Sequence, residues 1–183
     1  MKFNNMSNLV FLYGTLKNGQ PNHELMTKSE KGHATFVGEA KTIEKWPLVV
    51  ASEFNVPFVL DKPGVGHHIL GEVYRVDEEM LHFLDAFERC PTLYQRKCLT
   101  VTMETVVNKA DTSGKSMDTK DNNAIQECYF YALQNYKDEL LNLTFYEKYD
   151  AYGNPNHART PLEKIDMNMD ELKDYLTKFV LKQ

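Results

Sequence analysis

The chain has 183 residues, 42% hydrophobic and 26% charged, with a formal net charge of -5. That is the length and balance of one soluble globular domain, and the acidic sign excludes a broad phosphate-binding surface, which needs clustered Lys and Arg. The three cysteines, Cys90, Cys98 and Cys128, are odd in number and have no metal-like spacing, so a disulfide framework is not expected and a reducing, cytoplasmic setting is.

The opening segment MKFNNMSNLVFLYG carries one Lys and a short apolar run that stops at Gly14. It has no small-residue cleavage site and does not read as a signal peptide. No apolar stretch approaches the roughly 20 residues of a membrane span. Leu9 to Tyr13 is an unbroken apolar run, the pattern of a strand buried on both faces. After a Lys-Asn-Gly-Gln-Pro-Asn turn, NHELMTK predicts a short helix capped by Asn22. EAKTI, PLVVA and VPFVL are strand candidates separated by Pro, Gly and Asn, and HHILGEVYRV continues the β pattern.

DEEMLHFLDAFE predicts a helix over 77–88. Asp77 is a good cap, Glu78 and Glu79 sit in the first turn, and Met80, Phe83, Leu84 and Phe87 form one apolar stripe. Pro91 ends it. In YQRKCLTVTMETVV, Leu99, Val101 and Met103 alternate with Thr100, Thr102 and Glu104, which predicts a half-buried strand. Residues 108–123 are almost devoid of apolar side chains and read as a flexible loop before the return strand QECYFYAL. The terminal MDELKDYLTKFVLK puts Leu172, Tyr175, Leu176, Phe179 and Val180 on one helical face, a stripe for core packing. Strands in consecutive runs with few helices predict an α+β fold whose sheet can curl into a barrel.

Few residues carry chemistry. No G-x-S-x-G elbow, Walker loop or H-E-x-x-H helix occurs. His67 and His68 are adjacent, so in a strand they face opposite ways and cannot share a metal. Cys98 and Cys128 read as core residues, and Cys90 has no histidine nearby to activate it. Two stretches remain. A glycine directly after a buried strand lets a ligand approach the main chain, and the N–H groups of such a turn form an anion-binding concavity. The same glycine also fits a plain turn. Glu88 stands at the C-terminal margin of the predicted helix, beside apolar residues and three positions after Asp85. That setting suits a general base, and equally a solvated helix end.

Taken together, VFLYGTLKNGQPNH and GEVYRVDEEMLHFLDAFERCPTLYQR resemble the γ-glutamyl cyclotransferase-like superfamily, and within it the members that act on γ-glutamylamines. The Tyr-Gly-Thr-Leu signature, the Gly-Gln-Pro-Asn-His turn, the Gly-Glu-Val-Tyr strand and the Phe-Glu-x-Cys-Pro-x-Leu-Tyr-Gln-Arg run appear in order. YDAYGNPNH is similar to the family's C-terminal aromatic turn, so the resemblance spans roughly residues 9–157.

The resemblance implies a single cyclotransferase-like domain, a small mixed barrel with flanking helices, no metal and no organic cofactor. It implies cleavage of γ-glutamyl-ε-lysine into 5-oxoproline and lysine, with Glu88 catalytic and Tyr13, Gly14, Thr15 and Leu16 binding substrate. Other γ-glutamyl-amino acids or glutathione are the alternative substrates, and a silent binding module of the same fold is the alternative function. Residues 161–183 read as a helical extension about which the resemblance says nothing. The expected partner is a small molecule, not nucleic acid or membrane, and a monomer is the default.

Overall fold

The computed structural model describes residues 8–105, 124–154, 156 and 168–182. Among them the chain runs β1 (Asn8–Leu12), α1 (Glu24–Thr27), β2 (Ala34–Thr42), β3 (Leu48–Ala51), β4 (Val56–Val59), β5 (Leu70–Val76), α2 (Glu78–Phe87), β6 (Tyr94–Met103), β7 (Ile125–Leu133) and α3 (Met169–Val180). The expected α+β fold with a curled sheet forms. Five strands close a barrel in the order β1-β5-β2-β6-β7, and β3 and β4 make a separate hairpin. β7 closes on β1 in parallel, with Val10 opposite Tyr129.

The period of two in the strands sorts their side chains into two apolar layers. Phe11 and Tyr13 of the first segment join Val73, Leu99, Val101, Met103, Phe130 and Ala132 in one layer. Val10 and Leu12 point the other way, into a layer that also holds Met80 and Leu84 of α2 and Leu172 and Leu176 of α3. Both faces of β1 are therefore covered, which is why its sequence is apolar without interruption. β1 and β5 approach so closely that a Cβ on Gly71 would lie 2.5 Å from the Leu12 carbonyl oxygen. Only glycine fits there.

α2 begins as its sequence requires. The Asp77 carboxylate accepts from the Met80 N–H at 2.8 Å. Met80, Leu81 and Leu84 are buried, and Phe83 and Phe87 are half-buried, so the covered face is wider than the expected stripe and includes Leu81. α3 begins with a capping box in which Asn168 accepts from the N–H groups of Asp170 and Glu171 while Glu171 accepts from the Asn168 N–H. Leu172, Leu176 and Val180 are buried, whereas Phe179 of the same stripe is exposed. The far end of α3 is tied down by Lys137 N–H to the Val180 carbonyl and Lys182 N–H to the Asn135 carbonyl, both 2.8 Å.

Several expectations change. Asn22 does not cap the short helix. Its side chain donates instead to Thr15 Oγ1 at 3.0 Å, and the cap position of α1 is His23, without a side-chain hydrogen bond. Cys128 is buried but Cys98 is exposed, on the outward side of β6. The predicted loop over 108–123 lies outside the described residues, as does the 161–167 part of the terminal extension. No helix among the described residues is long and apolar enough to cross a membrane.

Candidate active site

Glu88 is the last residue before the chain reverses. Helix α2 ends in a Schellman turn: Arg89 N–H bonds the Ala86 carbonyl at 3.1 Å and Cys90 N–H bonds the Asp85 carbonyl at 2.8 Å. The left-handed residue of that motif is usually glycine, but here it is Arg89, with φ of +49°. A side chain at such a φ costs about 1–2 kcal/mol. Arg89 offsets this by reaching α3, where its guanidinium bonds the Asp174 carboxylate and, at 3.0 Å, the Asp170 carbonyl. The turn thus fixes where Glu88 points and couples its helix to α3.

The Tyr13–Leu16 segment is held from behind. The Tyr13 hydroxyl donates to the Tyr131 carbonyl at 2.9 Å and accepts from the Val59 N–H at 3.4 Å, bracing β7 against β4. Burial, with the Glu88 charge adding to it, pushes the Tyr13 phenol well above its ordinary pKa, so it stays neutral. Thr15 accepts from the Asn22 N–H at 2.9 Å through its carbonyl. Gln20 clamps the segment to the aromatic turn near residue 150: its amide donates to Asp150 at 3.3 Å and its oxygen accepts from the Ala151 N–H at 2.9 Å. Asp150 also accepts from the N–H groups of Gly153 and Tyr152, which hold its carboxyl down to about 2. The Lys17 ammonium donates to the Tyr149 carbonyl at 2.8 Å, and burial lowers its pKa to about 8. These ties leave the N–H groups of Gly14, Thr15 and Leu16 without a main-chain acceptor among the described residues.

Both stretches line one cavity of about 60 Å³. Tyr13, Gly14, Thr15 and Leu16 border it with Asn22. Phe87 and Glu88 close another side, with Tyr94 and Tyr131 from the barrel. All five residues singled out from the sequence are brought together. A Cβ on Gly14 would lie 3.1 Å from the Pro57 ring, so any larger residue there makes a tight contact with that ring. Asp85, the expected like-charged neighbour of Glu88, is matched by Arg96 at 2.6 Å and by the Tyr131 hydroxyl at 2.8 Å. Burial, and after it the hydrogen bond to Asp85, pushes the Tyr131 phenol upward. Among the described residues no group of His, Cys, Asp and Glu could hold a metal.

Sequence reasoning missed one wall. Leu172, Lys173 and Leu176 of α3 also line the cavity. The Lys173 ammonium lies 3.5 Å from Glu88 Oε2, with only 13% and 15% of the two side chains exposed.

Residues 10–151 match the family described as gamma-glutamyl cyclotransferase, AIG2-like. The chain belongs to that family. It is 42% identical over 154 residues to the gamma-glutamylaminecyclotransferase of Bos taurus, covering 84% of this chain and 82% of that one. Against the Homo sapiens protein of the same name it is 42% identical over 145 residues, covering 79% and 91%. The crystal structure of an AIG2-like protein from Mus musculus matches the fold with a TM-score of 0.72 at 39% identity, over 86% of this chain and 98% of that one. Glu88 and the 13–16 segment lie within the matched residues, and α3 lies beyond them.

Proposed function

We propose that this chain is a cytoplasmic, cofactor-free γ-glutamylamine cyclotransferase that cleaves γ-glutamyl-ε-lysine into 5-oxoproline and lysine. Its relatives of that name support the reaction class. The observation that carries the site is the meeting, in one cavity, of the free main-chain donors after Tyr13 and the Glu88 carboxylate, from distant parts of the chain.

The chemistry needs no protein nucleophile, because the substrate's own α-amine attacks its γ-carbonyl. Holding the glutamyl chain folded back supplies several kcal/mol, about 7–11 in the best model reactions. The α-amine, with a reference pKa of about 8, must lose a proton before it attacks. Glu88 accepts that proton and returns it to the departing amine, a contribution of about 10²–10⁴ in rate. Over the whole reaction the attacking nitrogen goes from –NH₃⁺ to the lactam N–H. The leaving nitrogen goes from amide N–H to –NH₃⁺. Two protons move from one to the other, one C–N bond forms, one breaks, and no water is consumed. The N–H groups of Gly14, Thr15 and Leu16 are the donors available to a substrate carboxylate or to the carbonyl oxygen as it gains charge. Tyr13, neutral and doubly hydrogen-bonded, braces the segment rather than transferring protons.

The test is 5-oxoproline release by the purified protein from γ-glutamyl-ε-lysine, from γ-glutamyl-alanine and from glutathione. We expect the highest kcat/KM with γ-glutamyl-ε-lysine. Preference for glutathione would assign the other leaving group, and release from none of the three would leave a binding module of the same fold.

A further inference from the structure

Beside Glu88 the structure holds an ammonium group already, and it is the protein's own. The Lys173 Nζ stands 3.5 Å from Glu88 Oε2. It also lies 4.5 Å from the centre of the Phe87 ring and 5.8 Å from that of Tyr94. A carboxylate and two aromatic faces around one cation make a cage for an alkylammonium, in which the ring quadrupoles add to the ion pair. We infer that Phe87, Glu88 and Tyr94 form a subsite for the primary ammonium groups of substrate and product, and that Lys173 is its resident occupant, which the substrate must displace. This deepens the proposed function and rests on it for the identity of the ligand.

Three observations carry the inference. Lys173 is chemically the leaving group: a four-carbon chain ending in –NH₃⁺ is what the reaction releases from γ-glutamyl-ε-lysine. The second is position: Lys173 lines the same cavity as Tyr13–Leu16 and Glu88, so its ammonium takes the place beside Glu88 that a ligand ammonium entering the cavity would need. The third observation is that the backbone under Lys173 is fixed. Leu172 and Leu176 flank it at 1% and 3% exposure, and Arg89 ties the same helix to the end of α2. The exchange is therefore a swing of one flexible side chain, not an opening of the helix.

Charge balance gives the exchange its selectivity. A largely buried carboxylate left without a partner is costly. A ligand that brings an ammonium replaces Lys173 without exposing Glu88 to that cost, and a neutral ligand does not. The substrate arrives with an ammonium and the product amine leaves as one; in between, the proton rests on Glu88, which is then neutral and needs no counter-ion. When the amine departs, 5-oxoproline offers only a neutral lactam N–H, and Lys173 returns to Glu88.

Lys173→Met keeps the apolar stem and removes the charge. We expect its KM for γ-glutamyl-ε-lysine to fall about tenfold, the worth of one partly exposed ion pair with its ring contacts. n-Butylamine, titrated calorimetrically, should bind it about tenfold tighter than it binds the wild type, and Lys173→Arg should restore both values. Lys173→Gln serves the same purpose if the Met variant does not fold. A raised or unchanged KM, or equal butylamine affinity in the two proteins, overturns the inference. The calorimetric arm needs no turnover, so a wild-type protein that releases no 5-oxoproline defeats the proposed reaction while the cage is still decided by butylamine.

Discussion

The two walls of the cavity are built differently. Gly14, Thr15 and Leu16 offer main chain, aimed by a turn whose side chains look backward into the protein. Helix α3 offers only side chains, Leu172, Lys173 and Leu176, on a backbone whose own polar groups are spent within the helix and its capping box. A main-chain wall keeps its chemistry through any substitution that preserves its path, whereas a side-chain wall loses it with one. The first wall lies inside the residues matched by the family and the second outside them. In the function proposed above, the glutamyl group, common to every candidate substrate, falls to the backbone, and what differs between candidates, the leaving amine, falls to the side of the cavity lined by α3. Glu88 stands where the walls meet and is claimed by both.

The sharpest way to break this division is Glu88→Gln. The amide keeps the shape and still accepts a hydrogen bond from Lys173, but takes no proton. 5-Oxoproline release from γ-glutamyl-ε-lysine should drop by at least about 10²-fold, with little change in the thermal midpoint. Near-normal turnover would make Glu88 only the counter-ion of Lys173.

The next effect falls on stability. Leu172 is 1% exposed and faces both the core and the cavity. Leu172→Ala should cost about 2–5 kcal/mol, as for other leucines removed from a packed interior. The measurement is the urea midpoint at unchanged slope. A cost below about 1 kcal/mol would mean that α3 rests on the barrel without being part of it, and the side-chain wall would then be optional.

These two residues also mark how far the sequence could be read. Period-two alternation in residues 99–103 and the apolar stripe with its Asp77 cap are local signals, and the strands and helices followed from them. Tyr13 to Leu16 and Glu88 were legible as candidates because the motif residues stand in family order. Lys173 was not. It adjoins the Leu172–Leu176 stripe, and amphipathic reasoning sends a lysine there to solvent. The tertiary docking of α3, tied to the end of α2 through the Arg89 side chain, puts that ammonium against Glu88. The partners of Asp85 were out of reach for the same reason: Arg96 and Tyr131 come from β6 and β7, and no local pattern pairs them with a helix. Asn22 looked like a cap because it precedes a helix, yet its amide serves Thr15, seven residues back.

The mildest test concerns the main-chain wall. Gln20 is its remote support, bonded at one end to Asp150 and at the other to the Ala151 N–H. In Gln20→Ala, Asp150 keeps its bonds from Tyr152 and Gly153, but the N–H of Ala151, a residue 6% exposed, loses its acceptor. An unpaired buried donor costs about 1–3 kcal/mol, and partial access of water puts this case at the low end. The kinetic signature matters more than the stability. Loosening the turn blurs the aim of the Gly14–Leu16 N–H groups without touching Glu88 or the ammonium cage. KM should therefore rise by a similar factor for γ-glutamyl-ε-lysine and for γ-glutamyl-alanine, since both present the same glutamyl group. A change that depended on the leaving amine would place amine recognition on the main-chain wall and reverse the assignment of the two sides.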